Sequence, residues 1–327
     1  PVMTPNAKGA LIALAAFGVF ATHDVVVKIL GGIYSPVQIV FFSVLLSFPL
    51  ATMMLMRDSK PGTLVPAHPW WMLTRAVATV ITGLTAFYAF SVLPLAQVYT
   101  ILFAAPLLIT VLAIPVLGET VRIRRWAAVI VGLIGVLVVL RPGSTELSLG
   151  HLAALMAAVG GSIASIIVRK IGSEERPVVM LLYPMALNFV VMAAALPFVY
   201  EPMPIDHLGL SGVIAVFGSI ASRMIISAYQ AGEAAIIAPM QYSQIIWASF
   251  FGFVFFGEMI DLNTAIGASI IIASGLYIVL RESRSGASEN TPVLRTRSRS
   301  ETGIIPRISM LVRMSGKTLP GQQKAPD

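Results

Sequence analysis

Cysteine is absent from all 327 residues, so the chain can build no disulfide, thiolate nucleophile or cysteine-bound metal. Charge is scarce as well. Only 11% of residues are Asp, Glu, Lys or Arg, against 57% hydrophobic, where water-soluble domains carry roughly a quarter charged. A surface facing water needs more charge than this, and a surface facing hydrocarbon does not. The signatures of membrane-embedded enzymes are missing too: there is no H-E-x-x-H helix, no aspartate-rich diphosphate motif and no G-x-S-x-G elbow. Gly316-Lys317-Thr318 matches the end of a phosphate-binding loop, but Leu311 stands where that loop needs its first glycine. No charged ring or filter-like repeat suggests a channel. The expectation is a non-enzyme with no cofactor and no metal.

What the chain has is apolar length. Mean hydropathy is +0.87, and a helix needs about 20 apolar residues to cross a ~30 Å hydrocarbon core. Ten segments qualify: 9–30, 36–56, 70–92, 95–117, 123–141, 149–169, 177–199, 208–229, 234–256 and 262–281. Segment 9–22 behind Lys8 has the look of a signal-peptide core, but its apolar run continues to Leu30 and reads as the first span. Turn and charged residues such as Gly31-Gly32, Pro94, Arg141-Pro142-Gly143 and Asp261 separate the segments. The prediction is an all-α integral membrane protein of ten transmembrane helices, because helices satisfy their own backbone groups in lipid.

The net charge of +7 does not point to nucleic acid, since the basic residues lie in short loops and in the tail. With the N-terminus in the cytoplasm, Arg57, Lys60, Arg122, Arg124, Arg125, Arg169, Lys170 and Arg176 all fall inside. The outer loops then hold Glu201, Asp206, Glu258 and Asp261. This is the asymmetry of inner-membrane proteins, and it places both termini in the cytoplasm. Residues 282–327 are rich in Ser, Thr, Pro, Gly and Arg and read as a basic, disordered cytoplasmic tail.

The chain also repeats. Val116-Leu117-Gly118-Glu119 closes the fourth segment, and Phe255-Phe256-Gly257-Glu258 closes the ninth. Phe87-Tyr88-Ala89-Phe90 and Ala96 correspond to Ile226-Ser227-Ala228-Tyr229 and Ala235. Two units follow, 8–141 and 149–281. Five helices is an odd number, so the second unit must enter the membrane inverted, as in secondary transporters with a midplane site.

In order and spacing these residues resemble the drug/metabolite transporter superfamily, in its two-domain EamA branch. The resemblance is carried by Asp24-Val25-Val26-Val27-Lys28, Arg75, Leu93-Pro94-Leu95-Ala96, Pro106 and Gly118-Glu119, then by Ala238-Pro239, Gln241-Tyr242-Ser243 and Gly257-Glu258. It spans residues 8–281 and implies ATP-independent movement of a small organic metabolite, such as an amino acid, vitamin or nucleoside, by alternating access. Ser43 stands where members often carry Arg. A lipid flippase, or a scaffold without solute transport, is the alternative. The expected partners are the bilayer and a small-molecule substrate, with a homodimer left open.

Candidate site residues follow from the cost of burying charge and polarity in lipid. His23, Asp24 and Lys28 are candidates for a proton or cation relay. Asp24 and Lys28, four apart on one helix, are read as an ion pair. His23 and Asp24, being adjacent, are expected on different helix faces. Tyr88, Gln97, Tyr99, Phe103, Arg223, Tyr229, Gln241, Tyr242, Ser243, Gln244 and Trp247 are expected along the substrate path. Pro239, which frees a helix carbonyl, makes Gln241, Ser243 and Gln244 the first choices. Arg75 is expected to snorkel to the interface. Arg223 lies roughly 9 Å inside its helix end; it either snorkels likewise or offers a positive charge to the substrate. Glu119 and Glu258 are assigned to capping the helix that follows each.

The inverted arrangement puts Thr145 and Ile260 on the same side of the membrane. Since the chain has no cysteine, Thr145→Cys and Ile260→Cys can be labelled one at a time with an impermeant maleimide. Both should react from the outside, and reaction from opposite sides would refute the topology.

Overall fold

The computed structural model describes residues 5–56, 63–118, 123–142, 147–172, 174–232 and 234–283. Glu119, the loop bases Arg57, Lys60 and Arg122, and the tail beyond Ser283 lie outside them. Among the described residues every regular element is helical: α1 Pro5–Gly31, α2 Pro36–Met56, α3 Pro69–Val92, α4 Leu95–Leu102, α5 Ala105–Leu117, α6 Ile123–Leu140, α7 Leu149–Ile171, α8 Pro177–Ala195 with a 3-10 turn Leu196–Phe198, α9 Ile205–Ala231, α10 Ala234–Ile237, α11 Gln244–Phe256 and α12 Leu262–Ser283. Eight stretches are long and apolar enough to cross a membrane, α4 and α5 together making one of them. α12 holds a shorter apolar run, Leu262–Ile278. Segment 234–256 is interrupted by a 3-10 turn, Ala238–Ser243.

Proline explains several of these boundaries. Pro36, Pro69 and Pro177 open α2, α3 and α8, where the missing N–H costs nothing. Pro94 separates α3 from α4, and Pro106 opens α5 just past the break at Phe103–Ala104. Pro239 falls inside the 3-10 turn. The two 13-residue helices α5 and α11 end alike: Gly118 and Gly257 take left-handed φ angles of 68° and 66°. Only glycine does so without strain. Glu258 N–H then reaches back to Gly252 O at 3.0 Å, and Gly257 N–H to Phe253 O at 3.0 Å, which closes the helix end.

The principal packing pairs each join a helix of 8–141 to one of 149–281: α1 on α9, α3 on α7 and α6 on α12. Small residues permit the close approach. A β-carbon on Gly135 would lie 3.0 Å from the Gly267 carbonyl across the α6–α12 contact. Large apolar side chains such as Ile130, Ile134, Leu137, Phe250, Phe253 and Val254 remain exposed on the outside, as a lipid-facing surface requires.

Loop contacts sort into two ends. At one, the Tyr34 hydroxyl pairs with His207 Nδ1 at 2.7 Å, and the Gln38 amide pairs with both backbone groups of Glu201 at 2.8 and 2.9 Å. Arg141 forms an ion pair with Asp261 there. At the other, His68 Nε2 meets Glu174 Oε2 at 2.5 Å, and Lys170 donates to Val116 O at 2.6 Å. Carboxylates of the 201–206 and 258–261 loops fall at the first end. Lys170 and Arg176 fall at the second.

Arg75 does not snorkel. It is 6% exposed, and its guanidinium donates to Met180 O at 2.6 Å. That carbonyl would normally accept from the N–H four residues on, but residue 184 is a proline inside α8. Arg75 supplies the donor that Pro184 cannot. Arg75→Ala should therefore lower stability by about 1.5–3 kcal/mol, the range for a hydrogen bond to a charged group. In a Pro184→Ala background the cost should be smaller, because helix α8 regains its own donor. Thermal unfolding of the four proteins in detergent measures this coupling.

Candidate functional site

α1 carries His23, Asp24 and Lys28 within its last nine residues. His23 and Asp24 are 1% and 0% exposed, and they bond directly, His23 Nδ1 to Asp24 Oδ1 at 2.8 Å. The adjacent side chains thus meet rather than diverge around the helix. The hydroxyl of Tyr99, from α4, donates to Asp24 Oδ2. Phe87 lies edge-on to the His23 ring at 6.1 Å, and Gly218 of α9 faces the same ring. The result is a buried carboxylate flanked by an imidazole and a phenol. A bare carboxylate at this depth is costly. Here two hydrogen-bonding groups share its charge.

Lys28 lies one helical turn on, but Asp24 is not its partner. Its ammonium forms an ion pair with Glu258 Oε1 at 2.6 Å and also donates to Leu93 O at 2.5 Å. The i, i+4 spacing brings Lys28 near Asp24, yet the lysine extends toward the helix end, where an ionised partner arrives from the other half. Glu258, in turn, does not cap α12. Its second oxygen accepts Leu95 N–H at 2.9 Å. Asp261 does the capping, through Thr264 N–H at 3.2 Å and the Thr264 hydroxyl at 2.5 Å.

The two helix breaks meet at the centre. Phe103, at the end of α4, stands edge-on to Tyr242 of the 3-10 turn at 5.1 Å, and Tyr99 packs on Phe103 at 6.2 Å. Gln244 begins α11 buried, and its side-chain Nε2 has no hydrogen-bond partner among the described residues. The Ser243 hydroxyl is used locally, on Met240 O at 2.6 Å. Gln241 is half-buried. Trp247 stacks on Phe251 and lies against Gly18 of α1. Gln97 reaches away to His151 Nε2 at 2.9 Å, beside a cleft formed with Pro94, Ser249 and Glu258. Tyr88 is half-buried beside Phe87. Arg223 is exposed on α9, while Gly218 of the same helix faces His23. The side chain of Tyr229 lies outside the described residues.

Phe87, Phe90 and Gly218 line this cluster and were not among the sequence candidates. Phe90 packs on Tyr99 at 5.4 Å. The aromatic pair three apart was visible as a helix face, but Gly218 carried no local signal. Tyr242 is positioned by Gly275 of α12, where a β-carbon would collide with the tyrosine hydroxyl. Gly275→Ala should cost about 1–3 kcal/mol, the usual penalty for overpacking, and Tyr242→Phe should recover most of it. Melting temperatures of the single and double variants decide the matter.

Comparison with known proteins gives a consistent pattern. The EamA-like transporter family model matches residues 7–141 and again 148–280. An S-adenosylmethionine uptake transporter of Rickettsia bellii is 26% identical over 266 residues, covering 81% of this chain and 91% of that protein. A riboflavin transporter of Rhizobium johnstonii is 26% identical over 219 residues, 66% of this chain and 72% of that protein. A pseudopaline exporter of Pseudomonas aeruginosa is 24% identical over 283 residues, 85% and 97% respectively. One solved crystal structure, 18% identical, superposes with a TM-score of 0.56 over 84% of this chain and 97% of its own, and shares the fold.

Proposed function

The chain belongs to the EamA-like transporter family, and we propose that it is a secondary-active, proton-coupled carrier of a small organic metabolite. It is a multi-pass membrane transporter. In this reading it sits in a bacterial inner membrane with both termini in the cytoplasm, and it crosses ten times as two inverted five-helix units. Three observations support the inversion. One family model matches the chain twice. The matching helices α5 and α11 share their left-handed glycine ends. The packing pairs α1–α9 and α3–α7 exchange into one another when the two units are exchanged.

The observation that carries the mechanism is the buried His23–Asp24–Tyr99 cluster beside the meeting point of two broken helices. Interrupted helices at mid-membrane are where such carriers bind cargo, and a titratable group there couples cargo to protons. Gln244, Gln241, Trp247 and Tyr88 are assigned to the cargo path on this reading. The relatives are named for unlike cargoes, one taken up and one exported, so the substrate class stays at small organic metabolites and the direction is not inherited.

Metabolite profiles of deletion and overexpression strains nominate the cargo, and uptake into proteoliposomes tests it. Uptake should saturate and rise with an imposed proton gradient. Asp24→Asn should lower gradient-driven uptake roughly tenfold or more, ~1.4 kcal/mol per decade, and leave the remainder insensitive to pH. Uptake that keeps its full pH dependence in this variant would remove the coupling assignment. Transfer of lipid between leaflets with no solute flux would remove the carrier itself.

A further inference from the structure

The cluster at Asp24 has a second layer above it. α1 and α4 run antiparallel, and one turn separates Asp24 from Lys28 on the first and Tyr99 from Leu95 on the second. The deeper rung joins Asp24 to Tyr99. The outer rung joins Lys28, Leu95 and Glu258.

The outer rung rests on backbone chemistry. Pro94 breaks the chain between α3 and α4, which leaves the Leu95 N–H and the Leu93 carbonyl without helical partners. Glu258 takes the first at 2.9 Å and Lys28 the second at 2.5 Å, while the two charges meet at 2.6 Å. Lys28 also lies over the Phe256 ring, 5.2 Å from its centroid. Three elements are thereby tied: α1, the α3–α4 corner, and the end of α11 from the other half. Lys28 and Glu258 are 11% and 18% exposed, so the pair is largely withdrawn from water.

The packing around it is not symmetric. α1 lies on α3 at this same end, where a β-carbon on Gly31 would strike Ser91 and where His23 meets Phe87. Exchanging the two units turns α1–α3 into α7–α9, and among the described residues those helices make no comparable contact. The α1–α3 contact at this end therefore has no equal between α7 and α9 among the described residues. In a carrier of inverted repeats, exchange of these two arrangements moves the site from one side to the other.

We propose that the Lys28–Glu258 pair is the latch of a gate at the Gly257 end of the path, closed in this structure and broken each time that end opens. This rests on the carrier reading. A charge pair suits such a latch. While closed it is desolvated and satisfies two orphaned backbone groups. On opening, both charges gain water, so the attraction lost is offset by hydration and the latch releases without a trap.

Ala248 tests it. It is 1% exposed and lines the cleft beneath Glu258, and the chain's lack of cysteine makes Ala248→Cys a single reporter for an impermeant maleimide in oriented vesicles. Glu258→Gln keeps an acceptor for Leu95 but loses the charge, and Lys28→Met loses both contacts. Each should raise labelling from the Gly257 side at least fivefold and leave labelling from the opposite side unchanged. The exchanged pair, Lys28→Glu with Glu258→Lys, should be labelled more slowly than either single variant. Unchanged labelling in variants that insert and melt normally overturns the latch. So does a rise from both sides alike, which marks general loosening, or an exchanged pair labelled as fast as the singles. Labelling needs no cargo, so failure to find a transported solute leaves this result standing. Unchanged labelling beside normal uptake removes the latch alone.

Discussion

In hydrocarbon, a polar group without a partner inside the protein has no partner at all, and the positions that matter in this chain follow from that. Pro184 strips the Met180 carbonyl of its helical donor, and Arg75 crosses from α3 to supply one. Pro94 orphans two backbone groups, and Lys28 and Glu258 converge on them. Asp24 sits at membrane depth, and His23 and Tyr99 enclose it. In each case an interruption or a charge on one helix recruits a side chain from elsewhere. These recruited contacts tie the helices into one body.

The same constraint distinguishes contacts by their depth in the bundle. Arg75 and Met180 lie within the closely packed α3–α7–α8 region, where nothing replaces the bond if it breaks. Lys28 and Glu258 lie at a helix end, where water can take their place. The Arg75 pair is thus enclosed by packed helices, and the Lys28–Glu258 pair is closer to water. The meeting of Phe103 and Tyr242 places the two helix breaks side by side.

The helical segments were legible because lipid rewards apolar length, and length and composition are local properties. The like ends of α5 and α11 were legible from Gly118 and Gly257, since a left-handed helix end favours glycine. The partner of Lys28 was not. Spacing of four along α1 reports nearness on one helix, but the true partner comes from residue 258, brought back by the turn at Gly257. Arg75 was half legible: Pro184 announces a free carbonyl at Met180, and only the packing of α3 against α8 reveals which donor fills it. Arg223 is exposed on α9, where no hydropathy pattern could separate a lipid-facing side chain from a path-facing one.

By itself the sequence determined the solvent that surrounds this protein, the stretches that become helix and the points where helices stop, because each depends on neighbours within a few residues. Tertiary structure decided which group answers each buried charge and each orphaned backbone atom. Leu95 and Glu258 are 163 residues apart, and Asp24 and Tyr99 are 75 apart. A hydrogen bond is made in space, with donor and acceptor within about 3 Å, and no pattern along the chain encodes a distance that only packing creates.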